Sequence, residues 1–125
     1  MKKLVIITAF LFCLNLLAQR EFYELRTYEL YQSSNVKDFN TYFEDYLIPA
    51  LNKKGINNIG VFKEVSMDLP RKMYVLIPYP NITVYQSVSR SIKGDPNNAD
   101  ASVKLNKKNR PMFNRYSTSL YDAFE

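Results

Sequence analysis

A chain of 125 residues with 17 Lys and Arg, 12 Asp and Glu, one cysteine and no histidine has room for about one domain. Without histidine the commonest general base is absent, as are nucleophile–His pairs, and with only Cys13 besides, the usual ligand sets for zinc, copper and haem are missing. Carboxylates, Lys, Arg, Tyr, Ser and Thr remain for chemistry, so no metal or cofactor is expected.

The first residues read as an export signal. Lys2 and Lys3 form a positive head, Leu4 to Leu17 is an apolar run interrupted by Thr8 and Asn15, and Ala18 is a small residue suited to cleavage. The run is shorter than the roughly 20 residues that span a bilayer, so removal is favoured over anchoring. Leu16 stands where a second small residue is usual, which leaves the cut position open. Residues 1–18 are thus expected to be a signal peptide and residues 19–125 an exported domain, periplasmic or secreted, with no stable membrane insertion after removal. Losing Lys2 and Lys3 takes the basic count from 17 to 15 against 12 acids, so the net charge falls from +5 to +3. That excess is too diffuse to argue for nucleic acid. Cys13 would leave with the signal, so neither disulfides nor thiolate chemistry are expected of the domain.

Tyr23 to Leu30 alternates and is rich in aromatic residues, which predicts a first strand. Gln32-Ser33-Ser34-Asn35 is a turn that supplies helix N-caps. Val36, Phe39, Phe43, Tyr46, Leu47, Ala50 and Leu51 then recur at helical spacing, predicting an amphipathic helix to about Lys54, where Gly55 ends it. Pro49 removes the bond to the Asp45 carbonyl and predicts a kink. Ile56 to Met67 reads as a second strand, Asp68 to Arg71 as a turn, and Lys72 to Tyr79 as a third, central strand with Pro78 at its end. Pro80 to Thr83 starts a second helix, whose buried side is Val84, Tyr85, Val88 and Ile92 and which ends at Lys93 to Pro96. A short helix is expected over Asn98 to Lys107, a connector over Arg110 to Phe113 and a last strand over Arg115 to Phe124.

Strand, helix, strand, strand, helix, strand is the order of an α+β, ferredoxin-like βαββαβ sandwich: a four-stranded antiparallel sheet with both helices on one face. Apolar residues occur at both parities of the strands, Tyr23 and Leu25 alternating with Phe22, Tyr28 and Leu30. A sheet with an apolar free face usually finds a partner. The expected partner is a second copy of the chain, packed sheet against sheet.

Glu24, Arg26 and Tyr28 share one side of the first strand, because side chains alternate across a strand. In a polar pocket Arg26 would hold an anionic group with its fork, Tyr28 would donate a hydrogen bond, and Glu24 would orient Arg26 or act as a base. On a surface or in a seam, Glu24 and Arg26 would instead form an ordinary cross-strand ion pair. Tyr74 on the third strand could add a phenol to the same cavity. Asn81-Ile82-Thr83 matches a glycosylation sequon, yet Asn81 serves better as a helix N-cap. Lys104, Lys107, Lys108, Arg110 and Arg115 form a basic cluster without interleaved aromatics, which reads as a solvated face.

The run YELRTYEL, the segment LIPALNKKGI, the strand GVFKEV, the segment YVLIPY and the terminal SLYDAFE resemble, in this order, the NIPSNAP family. The resemblance covers essentially the whole of residues 19–125. It implies a dimeric α/β barrel, two ferredoxin-like units joined through their sheets. The wider barrel superfamily includes cofactor-free monooxygenases, isomerases, dehydratases and haem enzymes, and the lack of histidine departs from the haem-binding members. The function expected is an exported homodimeric module that binds a small apolar or anionic molecule or acts in an interaction. The alternative is a cofactor-independent monooxygenase or isomerase using a polar barrel cavity.

Overall fold

The computed structural model describes residues 21–66, 68–97 and 113–123. Strand β1 (Phe22–Leu30) is followed by a helical segment in three parts: helix α1 (Val36–Tyr42), a π-helical turn (Phe43–Leu47) and helix α2 (Ile48–Asn52). Strands β2 (Gly60–Lys63) and β3 (Lys72–Tyr79), helix α3 (Ile82–Lys93) and strand β4 (Phe113–Asp122) complete the described elements. They form one four-stranded antiparallel sheet in the order β2-β3-β1-β4, the ferredoxin-like arrangement that the element order implied.

Burial explains the layering. Along β1 every second residue is buried, and along β3 likewise. Phe22, Tyr28, Leu30, Met73, Val75, Ile77 and Tyr79 belong to the core together with Phe39, Phe43, Leu47 and Leu51 of the first helical segment and Val88 and Ile92 of α3. One sheet face is therefore closed by helices. The opposite face carries Tyr23, Leu25, Thr27, Tyr74 and Leu76, all partly exposed, while Phe62 and Tyr121 are 53% and 50% exposed. The register sets Leu25 directly beside Leu76 at the centre of this face.

The helix starts are made by asparagines. Asn35 accepts a hydrogen bond from the Lys37 amide, and Asn81 accepts one from the Val84 amide at 2.9 Å. Asn81 thus caps α3, as its position after Pro80 predicted. The kink expected at Pro49 takes the form of the π turn just before it, where the Ile48 amide bonds the Phe43 carbonyl five residues back. Widening the ladder there absorbs the N–H that proline lacks. The turn also rotates the apolar stripe: Leu47 and Leu51 are fully buried while Tyr46 and Ala50 are only partly so.

Two expected boundaries are corrected. The second strand is limited to Gly60–Lys63 rather than Ile56 to Met67, because Gly55 and Asn58 both take positive φ, at 80° and 59°, and break the extended run before it starts. The last strand begins at Phe113, whose ring packs against the core, rather than at Arg115. The helix expected over Asn98 to Lys107 lies outside the described residues, as does most of the basic cluster; of the latter only Arg115 is described, on β4 beside Glu29.

Candidate functional site

Among the described residues two charged side chains are buried. Glu24 is 2% exposed and Arg26 8% exposed, both on the helix-covered side of β1. Spaced two apart on a strand, they point the same way and reach each other without bending the backbone. Arg26 Nε donates to Glu24 Oε1 at 2.8 Å and Arg26 Nη2 donates to Glu24 Oε2 at 3.0 Å, a two-pronged fork on one carboxylate. The hydroxyl of Tyr79, arriving from the end of β3, donates to the same Oε2 at 3.0 Å. The carboxylate is thus gripped from two strands.

Tyr28 continues the row. Its ring meets Phe39, Phe43, Phe113 and Tyr116 with centroid separations of 5.1–6.0 Å, mostly tilted or edge-on as aromatic quadrupoles prefer. Tyr79 stands edge-on to Tyr85 of α3 at 5.3 Å, and Phe22 packs on the same ring. Between β1, β4 and the helices lies an open cleft of about 360 Å³, lined by Tyr28, Phe39, Tyr85, Phe113 and Tyr116 of these rings. Glu24, Arg26 and Tyr28 lie along its sheet side, with Tyr42, Tyr85 and Tyr116 among the aromatic walls and Lys93 also lining it. A volume of that size suits a small organic molecule.

The electrostatics follow from burial. Desolvation works against the Arg26 cation, but the hydrogen bonds and charge of Glu24 outweigh it, so the guanidinium holds its proton more firmly than usual. Burial pushes the Tyr28 phenol above its ordinary value of 10.0 despite the nearby Arg26 cation. Burial also raises Tyr79, with the Glu24 negative charge adding to the effect. Both phenols therefore remain neutral donors at physiological pH. Neither is poised to remove a proton.

The structure brings together three of the four residues that the sequence pointed to, and corrects the fourth. Tyr74 is paired with Thr27, so it lies on the sheet face opposite to Arg26 and cannot reach the cleft. Its strand neighbours Val75 and Ile77 take the buried parity instead. The second phenol at Glu24 is Tyr79, which shares that parity. The Glu24–Arg26 pair is neither solvated nor in a seam: it is a same-strand pair under the helices. Tyr85, Tyr116, Thr118 and Ser89 were not singled out as ligand groups. Tyr79 was legible in principle, since the β-branched Val75 and Ile77 mark the buried parity and Tyr79 follows it.

No family model matches the chain, and no curated protein matches it. Among solved structures the fold is that of NIPSNAP-family proteins and of a cofactor-independent oxygenase. A NIPSNAP family protein of unknown function from Agrobacterium tumefaciens is similar at 13% identity and a TM-score of 0.64, over 84% of this chain and 89% of that one. An uncharacterized NIPSNAP-like domain protein from Burkholderia xenovorans gives 16% identity and 0.64, over 82% and 84%. SnoaB, a cofactor-independent oxygenase from Streptomyces nogalater, gives 10% identity and 0.61, over 86% and 96%. At these identities the likeness concerns the fold.

Proposed function

We propose that this protein is an exported, homodimeric module that holds a small aromatic molecule in the cleft between its sheet and helices. The observation that carries the reading is the buried Glu24–Arg26 pair, braced from behind by Tyr79, on the wall of an aromatic cleft of about 360 Å³. A buried ion pair contributes little net stability compared with apolar residues of the same volume. Its placement beside an open cleft, rather than in the closed core, is what a binding role requires. The apolar free face of the sheet supports the dimer, and the positive head and apolar run of residues 1–17 support export.

Mass spectrometry of small molecules released from the purified protein tests the reading. A stoichiometric aromatic compound, lost from a Tyr85→Ala variant that stays folded, is the expected result. Protein that carries nothing and binds no aromatic compound from a panel would contradict it.

A second reading, cofactor-independent oxygenation of an enolisable aromatic substrate, draws on the fold shared with SnoaB. Arg26 and Tyr28 would stabilise an enolate, since preorganised donors need no metal for that purpose. The binding reading is preferred because Glu24, the one buried carboxylate of the cleft among the described residues, is already held by three hydrogen bonds. Oxygen uptake with an enolisable aromatic ketone as substrate separates the two.

A further inference from the structure

The charged groups of the cleft are unequally divided between donors and acceptors. Glu24 offers about four lone-pair sites, and three are taken by Arg26 Nε, Arg26 Nη2 and Tyr79. Arg26 has five N–H groups, of which Glu24 receives two. The Tyr28 phenol lies near the Arg26 cation, a group that can only donate. The Tyr116 oxygen accepts from Thr118 Oγ1 at 2.9 Å, which leaves the Tyr116 hydrogen to donate. Lys93 is donor-only. Around these groups the walls are rings, including Phe39, Tyr85 and Phe113. Among the described lining residues the cleft is an aromatic slot in which the cations Arg26 and Lys93 can only donate while the one carboxylate, Glu24, is largely committed.

We infer that the cleft selects a planar aromatic molecule by its acceptor oxygens, a ketone, quinone or carboxylate carried on the ring, and rejects the same ring bearing a donor. The inference rests on the proposed binding role and specifies the ligand class for it. A buried donor that meets another donor loses its hydration and gains nothing, which costs far more than a missing contact. Selection is therefore strongest against an ammonium group and weaker against a bare ring.

Equilibrium dialysis with four probes built on one ring tests this: 2-acetylnaphthalene, 2-naphthoate, 2-naphthylmethylammonium and 2-methylnaphthalene. The acetyl and carboxylate probes are expected to bind at least tenfold more tightly than the ammonium probe, with the methyl probe between them. The neutral acetyl probe excludes simple charge attraction as the cause. Tyr116→Phe should weaken the acetyl probe several-fold and leave the methyl probe unchanged. Equal or tighter binding of the ammonium probe would overturn the inference while leaving the cleft a binding site. Equal loss of all four probes in Tyr116→Phe would overturn it too. Failure of all four to bind the unaltered protein would overturn both this inference and the function on which it rests.

Discussion

Glu24 and Arg26 satisfy each other at close range in a place where either charge alone would be costly. Removing one partner is therefore worse than removing both. Glu24→Ala leaves a buried guanidinium without its carboxylate and is expected to cost about 3–5 kcal/mol in urea unfolding. The double change Glu24→Leu with Arg26→Met should recover most of that loss while weakening any ligand that needs the Arg26 donors. A double variant no more stable than Glu24→Ala would show that the pair is not the source of the loss. The two buried phenols add a pH dependence. In the unfolded chain Tyr28 and Tyr79 release their protons near pH 10.0, whereas in the folded protein both hold them to higher pH. The folded state thus binds more protons above pH 10, and stability falls as pH rises from there, with no contribution to the slope below it. Absorbance at 295 nm should show two tyrosines ionising only as the protein unfolds, and their ready titration in the folded protein would contradict the burial assigned to them.

The helix after β1 owes its register to the π turn. An uninterrupted α-helix over the same residues would turn Tyr46 and Ala50 inward in place of Leu47 and Leu51. A π turn is equivalent to one inserted residue, so deleting Asp45 together with Pro49→Ala should give a continuous helix that still buries both leucines. Cooperative thermal unfolding is expected to survive that change with a modest loss. Deleting Gln86 from α3, where no such turn exists, rotates Val88 and Ile92 out of the core by about 100° per residue and should abolish folding. At the other end of the scale, Asn81→Ala is expected to cost about 1 kcal/mol through loss of the bond to the Val84 amide. These elements were partly legible in the residues themselves. Asn81 after Pro80, and Gly55 after an apolar stripe, are local chemical signals that act where they stand. The π turn was visible only as an overwide stripe in which Tyr46 with Leu47, and Ala50 with Leu51, compete for one face. Periodicity alone does not decide between them; packing against the sheet does.

For the whole molecule the two faces of the sheet do different work. Glu24, Arg26 and Tyr28 were identifiable from alternation because a strand fixes which side chains share a side. Tyr74 was misplaced because the relation between β1 and β3 is a matter of register, and a shift by one residue exchanges the faces. Thr27 faces Tyr74, and so the phenol joins Leu25 and Leu76 on the face without helices. That face is the proposed dimer surface. Leu76→Arg, at its centre, is expected to convert a dimer to a monomer in sedimentation with little change in the spectroscopic signature of the fold, while a monomeric unaltered protein would remove the dimer from the account. The cleft lies on the other side and is expected to keep its ligand in the monomer.

The binding role of the cleft is tested most directly by following the tyrosine ring signals in NMR during titration with 2-naphthoate. Saturable shifts of Tyr28, Tyr85 and Tyr116, with Tyr23, Tyr74 and Tyr121 unmoved, are the predicted result. Shifts confined to Tyr23, Tyr74 and Tyr121, or none at all, would contradict it.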